Sequence, residues 1–183
     1  MHWTLPGTTL EALRSEADRT EALFQPMFLA GGMVLSQVAS ITGLEPYTIQ
    51  NWVKRKFLPP PVNKRYDMEQ LCRLININLL KGALPLERIC TLMQYINGNL
   101  DDESDDLIDD TKLYFMFVRL AVLARHMNDS AQWDAAIETV MADYQEPIPG
   151  VKDRIVKVLR IMITAWIASR LRQSAEEMLQ TLN

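Results

Sequence analysis

The sequence predicts an all-α protein, in which a small winged helix-turn-helix domain is followed by a C-terminal helical module. Three observations carry this expectation. The 183 residues include only seven glycines, which leaves few chain breaks. Apolar residues recur at three- and four-residue spacing over residues 67–97 and 111–182. Between residues 34 and 66, two short amphipathic segments are parted by Gly43 and Pro46, and three prolines and a basic stretch follow.

The organisation reads as four parts. Residues 1–32 form an N-terminal helical arm, 33–97 the helix-turn-helix domain, 98–110 an acidic linker and 111–183 a C-terminal helical module. A chain of this length can bury one or two small cores.

In the arm, Thr8 and Glu11 have capping-box spacing. A helix from about Thr9 to Phe24 follows from it, with Leu10, Leu13 and Ala17 on one stripe and Pro26 as its end. His2 and Trp3 read as a frayed terminus. Gly31-Gly32 reads as a joint. The arm docks on the body or on a second subunit, and the sequence leaves both open.

In the central domain, Ser36 can cap a short helix bearing Val38, Ala39 and Ile41, and Gly43 stops it. Leu44 is the apolar corner. Pro46 begins the second helix, where a missing N–H costs nothing, and Glu45 before it suits the helix dipole. Over Pro46–Arg55 the residues divide. Ile49, Trp52 and Val53 share an inward face, whereas Tyr47, Gln50, Asn51 and Lys54 fall opposite. Amides can pair with adenine edges, and cations reach guanine or phosphate. The plainer reading is a solvated helix face. Trp52 could stack on a base, but its phase with Ile49 and Val53 assigns it to the core.

Lys56 leads into Pro59-Pro60-Pro61, which stiffen the chain, and Val62–Tyr66 returns as a short strand, giving a small two-stranded wing. Lys64 and Arg65 near its end suit phosphate contacts, which position a protein without reading sequence. The candidate DNA-binding residues are therefore Tyr47, Thr48, Gln50, Asn51, Lys54, Arg55, Lys56, Lys64 and Arg65. Asp67 and Gln70 make a second capping box. They open a helix with the stripe Leu71, Leu74, Ile75 and Leu79, which ends near Leu80. Pro85 starts the next, with Leu86, Ile89, Cys90, Met93 and Ile96 in phase.

These elements in this order resemble the DNA-binding domain of the MerR regulators. The likeness rests on LSQVASITGLEPYTIQNWVKRKFLPP, KRYDMEQL and LPLERICTLM, roughly residues 34–96. It implies a recognition helix and a wing. The chain departs from the family at Gln50-Asn51-Trp52, where MerR proteins carry Arg-Tyr-Tyr, and the IQNW form is more similar to excisionase-like relatives. A closer resemblance is to a bacterial family, the domain of unknown function 1836 group. It is carried by GLEPYTIQNWVKRKFLPPP, the Arg65-Tyr66 pair and the GNLDDESDDLIDD block. That resemblance implies a MerR-like fold and no established activity.

Net charge is −4, which alone argues against nucleic acid. Its distribution argues otherwise. Residues 45–66 hold five Lys/Arg against one Asp/Glu, and residues 98–110 hold seven acidic residues and no basic one. A basic patch beside an acidic block outweighs the total. The block invites a calcium reading through Asp101, Glu103 and Asp105. Asp106 stands where the loop glycine belongs, however, and Lys112 where the closing glutamate belongs. A solvated linker, or a mask over the basic face, are the other readings.

Thr111 or Asp110 can cap a helix to about Asn128, apolar nearly all round and so buried on most sides. A second helix, about Ser130–Tyr144, buries Trp133, Ile137, Val140 and Met141. After Pro147 and Pro149-Gly150 a long helix runs from about Val151 to Leu182, with Ile155, Val158, Leu159, Met162 and Trp166 as its stripe. These are few helices for a large core, so a homodimer is expected, presenting two recognition helices to a pseudo-palindromic site. An unknown small-molecule effector could sit among Met116, Met162, Trp133 and Trp166, although a Met-filled dimer core is the plainer account. His126 is a lone histidine near a helix end.

No catalytic residue, cofactor or metal site is expected. There are two histidines, no clustered ligand spacing, no phosphate-binding glycine loop and no nucleophile elbow. Cys72 and Cys90 read as buried free thiols of a reducing compartment. With no leader at the N-terminus and the longest charge-free run near the C-terminus, Ile161–Ser169, too short to span a bilayer, the protein is expected to be cytoplasmic, with no membrane partner. The sequence thus expects double-stranded DNA as partner and a regulatory role in transcription. Its alternative is a non-catalytic protein-interaction adaptor on the same fold.

Overall fold

The computed structural model describes residues 2–98, 100, 106–124 and 129–182. Among them the chain is mostly helical, with eight α-helices and two two-stranded sheets. It is therefore not strictly all-α.

The arm departs most from the expectation. Strands β1 (His2–Thr4) and β2 (Glu11–Leu13) pair antiparallel, Trp3 opposite Ala12, so His2 and Trp3 are held in a hairpin and not frayed. The Thr8 hydroxyl closes the hairpin turn: it donates to the Leu5 carbonyl at 3.0 Å and accepts from the Leu10 N–H at 3.0 Å. A group spent on a turn cannot cap a helix, which is why the Thr9–Phe24 helix does not form. The turn is pressed onto the body. Gly7 has φ +73°, and a Cβ there would lie 2.8 Å from the Ile75 carbonyl oxygen; the Tyr114 hydroxyl donates to the Pro6 carbonyl at 3.1 Å. A 3-10 segment (Arg14–Arg19), the short helix α1 (Thr20–Phe24) and a second 3-10 turn (Gln25–Phe28) follow. Phe24 is fully buried, with Tyr114 and Phe115 rings 6.0 and 5.3 Å away. The arm thus docks on the body of its own chain.

Strand β3 (Met33–Val34) leads into α2 (Leu35–Thr42). Ser36 lies inside α2 and not at its cap; the Val34 N–H is instead satisfied by the Gln37 side-chain oxygen at 3.0 Å. Gly43 takes φ +67° and ends the helix as expected. Leu44 is buried, and α3 (Pro46–Lys54) begins at Pro46. The Asn78 amide donates to the Thr42 carbonyl at 2.9 Å and to the Gly7 carbonyl at 2.8 Å, which ties the end of α2 and the hairpin turn to one helix.

That helix, α4 (Met68–Leu80), is the hub of the fold. It packs against α2, α5 (Leu86–Asn97), α6 (Asp110–Leu123) and α8 (Val151–Gln180). Leu71, Cys72, Leu74, Ile75, Ile77 and Leu80 are all fully buried, so burial surrounds the helix and is not confined to one stripe. The Asp67–Gln70 capping box is present in both directions, at 2.8 and 3.1 Å. α6 is capped by Asp109, which accepts from the Lys112 N–H at 2.7 Å. Neither Thr111 nor Asp110 caps it, because Asp110 is drawn inward. Helix α7 (Ser130–Val140) packs on α6 and α8, with Trp133 only half-buried. Arm, central helices and C-terminal helices share one continuous apolar core. His126 and the Asp101, Glu103 and Asp105 of the calcium reading lie outside the described residues. No helix among the described residues is long and apolar enough to cross a membrane.

Candidate nucleic-acid interface

Helix α3 is anchored from below by Ile49 and Trp52, which are 0% and 5% exposed. Val53 is half-buried beside them. The anchors leave Tyr47 71% exposed, with Gln50, Asn51 and Lys54 exposed on the same outer side and Thr48 half-buried at its edge. The outer face of α3 therefore presents two side-chain amides, a phenol and a cation to solvent.

The chain then turns sharply. The Phe57 N–H donates to the Trp52 carbonyl at 2.9 Å with Lys56 at φ +58°. Leu58 is fully buried, and the three prolines follow. Residues 62–65 form a tight turn with Asn63 and Lys64 at φ +50° and +61°, closed by the Arg65 N–H on the Val62 carbonyl at 2.9 Å. Positive φ at both central residues suits a hairpin turn.

The wing differs from the expected two-stranded one in its partner. Strand β4 (Arg65–Tyr66) pairs with β3, Val34 opposite Arg65, and Val62 contributes one bridge to Arg65. The reason is chemical: prolines 59–61 have no N–H to give a ladder. Gly32, at φ +99°, makes the close approach possible, since a Cβ there would lie 2.8 Å from the Tyr66 carbonyl oxygen.

The basic residues are not equivalent. Lys64 lines a shallow groove with Gln50, Val53, Leu35, Pro61 and Tyr66, so the turn stands beside the outer face of α3. Lys54 and Lys56 are exposed. Arg55 is engaged: its guanidinium lies 2.7 Å from Glu87 and 4.5 Å from the centre of the Phe57 ring. The Glu87 carboxyl is held below its usual range by its own backbone N–H and then by Arg55. Arg65 donates to the Gly32 carbonyl at 2.8 Å, which pins the strand pair. Tyr47, Gln50, Asn51, Lys54 and Lys64 thus share one side of the molecule, whereas Arg55 and Arg65 spend their head groups on the protein.

Beneath this surface lies a polar network that the sequence reading missed. Arg73, 7% exposed, donates from Nε to the Phe57 carbonyl at 3.1 Å and from Nη1 to Asp110 Oδ2 at 3.0 Å. The Asn76 amide donates to the Asp110 carbonyl oxygen at 3.2 Å and to its Oδ1 at 3.3 Å. The Gln70 amide donates to the Pro60 carbonyl at 2.9 Å. Burial pushes the Asp110 carboxyl above its ordinary range, and Arg73 opposes this. The sequence signal was present: Gln70, Arg73 and Asn76 repeat every three residues on a mostly apolar helix. The network fixes the chain just after α3 to the hub helix and to the start of α6.

The four residues considered for an effector site differ in exposure, Trp133 being half-buried on α7. Met162 and Trp166 are buried in the core, where Trp166 meets Phe117 edge-on at 5.9 Å. Met116 borders a separate groove with Asp18, Glu21 and Asp143. Both cysteines are free; Cys72 is buried and Cys90 half-buried, and burial raises both thiols above their usual range.

Residues 32–117 match the model of a family described as a domain of unknown function, DUF1836. The matched stretch holds α3, the basic turn, and both Arg73 and Asp110. A stretch of 84 residues, 44% of this chain, is 31% identical to the uncharacterized protein YkrK of Bacillus subtilis (strain 168), of which it covers 36%. The chain therefore spans little more than a third of the length of that relative. No solved structure matches the chain significantly.

Proposed function

We propose that the protein is a sequence-specific regulator of transcription that binds double-stranded DNA as a dimer, with α3 entering the major groove. One observation carries the reading. Helix α3 is anchored through Ile49 and Trp52, and its outer face presents Tyr47, Gln50, Asn51 and Lys54 beside the Lys64 turn. The resemblance of the sequence to MerR regulators supports reading α3 as a recognition helix and the turn as a wing. Gln50 and Asn51 read base edges, while Lys54, Lys56 and Lys64 meet phosphates. Arg55 and Arg65 support the surface through Glu87 and Gly32. No catalytic step, cofactor or membrane contact belongs to this reading.

The assignment of roles is testable by titrating variants against cognate and scrambled duplexes. Gln50→Ala is expected to lose about 1–3 kcal/mol on the cognate site alone and so relax specificity. Lys64→Ala is expected to weaken all duplexes alike and flatten the salt slope by about one unit. Equal losses on every duplex for both variants would contradict the roles.

A second reading is a non-catalytic protein-interaction adaptor. The engagement of Arg55 and Arg65 within the protein favours it, since two of the basic residues nearest α3 are not free for phosphates. A stoichiometric, nuclease-insensitive protein partner would support it.

A further inference from the structure

The arm, α6 and the end of α7 border a groove of about 450 Å³, within the usual range of small-molecule sites. Its walls follow from helix phase. Lys112, Phe115, Met116 and Arg119 recur at i, i+3, i+4 and i+7 and so share one face of α6. Phe115 and Met116, each 7% exposed, make an apolar floor with Ala17 and Val140. Asp18 and Glu21, three residues apart on the arm, are exposed at its edge. Asp143 and Tyr144, just past α7, complete the wall. The Tyr144 hydroxyl donates to the Leu107 carbonyl at 3.2 Å, which holds the ring in place.

The charges of the groove do not pair with one another. Lys112 is spent on Asp109, 2.9 Å away. Arg119 is half-buried, and among the described residues no carboxylate comes within ion-pair distance of it. Asp18, Glu21 and Asp143 line the same groove, and among the described residues none of them closes on a cation. One guanidinium and three carboxylates therefore share a groove without meeting across its apolar floor. A lone cation in the groove would leave Arg119 unpaired, and a lone anion would face three carboxylates. A molecule with an ammonium at one end and a carboxylate at the other satisfies both signs and sets no net charge on the floor.

We propose that this groove binds a zwitterion of amino-acid to dipeptide length with an apolar side chain. Its ammonium meets Asp18 and Glu21, its carboxylate takes the planar guanidinium of Arg119, and its side chain lies on Phe115 and Met116. The carboxylates come from the arm and the guanidinium from α6, so the occupant ties the arm to the helical body. The inference goes beyond the DNA reading and does not depend on it.

The test is titration calorimetry of the full chain with L-methionine, L-phenylalanine and the dipeptide of the two. At least one is expected to bind saturably. Its N-acetyl and carboxamide forms each lack one charge and are expected to bind about 10-fold more weakly or worse. Arg119→Gln is expected to weaken the zwitterion about 10-fold or more and to leave the carboxamide form unaffected, while Arg119→Lys recovers part of the loss. Asp18→Asn combined with Glu21→Gln is expected to weaken the zwitterion and to leave the N-acetyl form unaffected. Melts without ligand are expected to match the wild type, since the arm positions are exposed and Arg119 has no partner to lose among the described residues. Ligand is also expected to slow amide hydrogen exchange over residues 14–24 of the arm. No saturable heat with any of the three up to about 10 mM would overturn the proposal. Binding untouched by Arg119→Gln would overturn it too, and an N-acetyl form as tight as its parent would contradict the zwitterion.

Discussion

Replacing Arg73 by methionine is expected to cost about 3–5 kcal/mol of folding stability, because it leaves the Asp110 carboxylate buried without its charge partner. Asp110 is 3% exposed, and its remaining donor is the Asn76 amide. The Phe57 carbonyl loses its donor in the same step. The loss is expected to depend on pH in a definite direction. Burial already holds the Asp110 carboxyl above its unfolded value against the opposing pull of Arg73. Between the unfolded and folded values the folded chain binds more protons, so this group's contribution falls as pH rises through that window. Without Arg73 the carboxyl rises further and the window widens. The variant is therefore expected to be less destabilised at about pH 4 than at about pH 7.5. Arg73→Met combined with Asp110→Leu is expected to recover most of the loss, since an apolar pair of similar volume carries no buried charge. Urea melts of the wild type and both variants at the two pH values check this. An Arg73→Met loss that is the same at both would place the source elsewhere than in the charge pair.

The second large effect is at Trp52. Truncation to alanine is expected to cost about 3–5 kcal/mol, the range for removing a buried aromatic ring. For a chain of this size that lowers Tm by about 6–20 °C. Trp52 is 5% exposed and, with Ile49, anchors α3 from beneath. Trp52→Phe keeps an aromatic ring in the site and is expected to retain most of the stability and all of the DNA specificity. A Trp52→Ala variant that melts like the wild type yet loses affinity for DNA would instead put the indole against a base.

Much of the helical framework was legible because its punctuation is local. Gly43, Pro46, the Asp67–Gln70 box and Gly150 each act within one turn of chain, and the breaks fall at or beside them. The arm was illegible for the opposite reason. The Thr8 hydroxyl suits a helix cap or a hairpin turn equally well. Contacts from Ile75, Asn78 and Tyr114, some seventy to a hundred residues away, accompany the turn. Strand β3 is two residues long, too short for any periodicity, and its pairing with β4 could not be read locally. From the sequence Asp110 reads as a helix cap or as part of an acidic block, because its burial beside Arg73, 37 residues away, leaves no mark on its neighbours. On the candidate interface, the inward and outward faces of α3 followed from phase alone. The engagement of Arg55 and Arg65 did not, since Glu87 and Gly32 lie 32 and 33 residues away.

Selection from random duplex DNA on the purified full chain, at two salt concentrations, separates a sequence-reading α3 from a generic basic surface. An enriched motif with dyad symmetry is expected, whose half-sites are separated by about one helical turn or a multiple of it. The motif is expected to persist at the higher salt while background binding falls. Binding that vanishes with salt and enriches no sequence would contradict the DNA reading, and would leave the exposed face of α3 as a surface for protein and not for DNA.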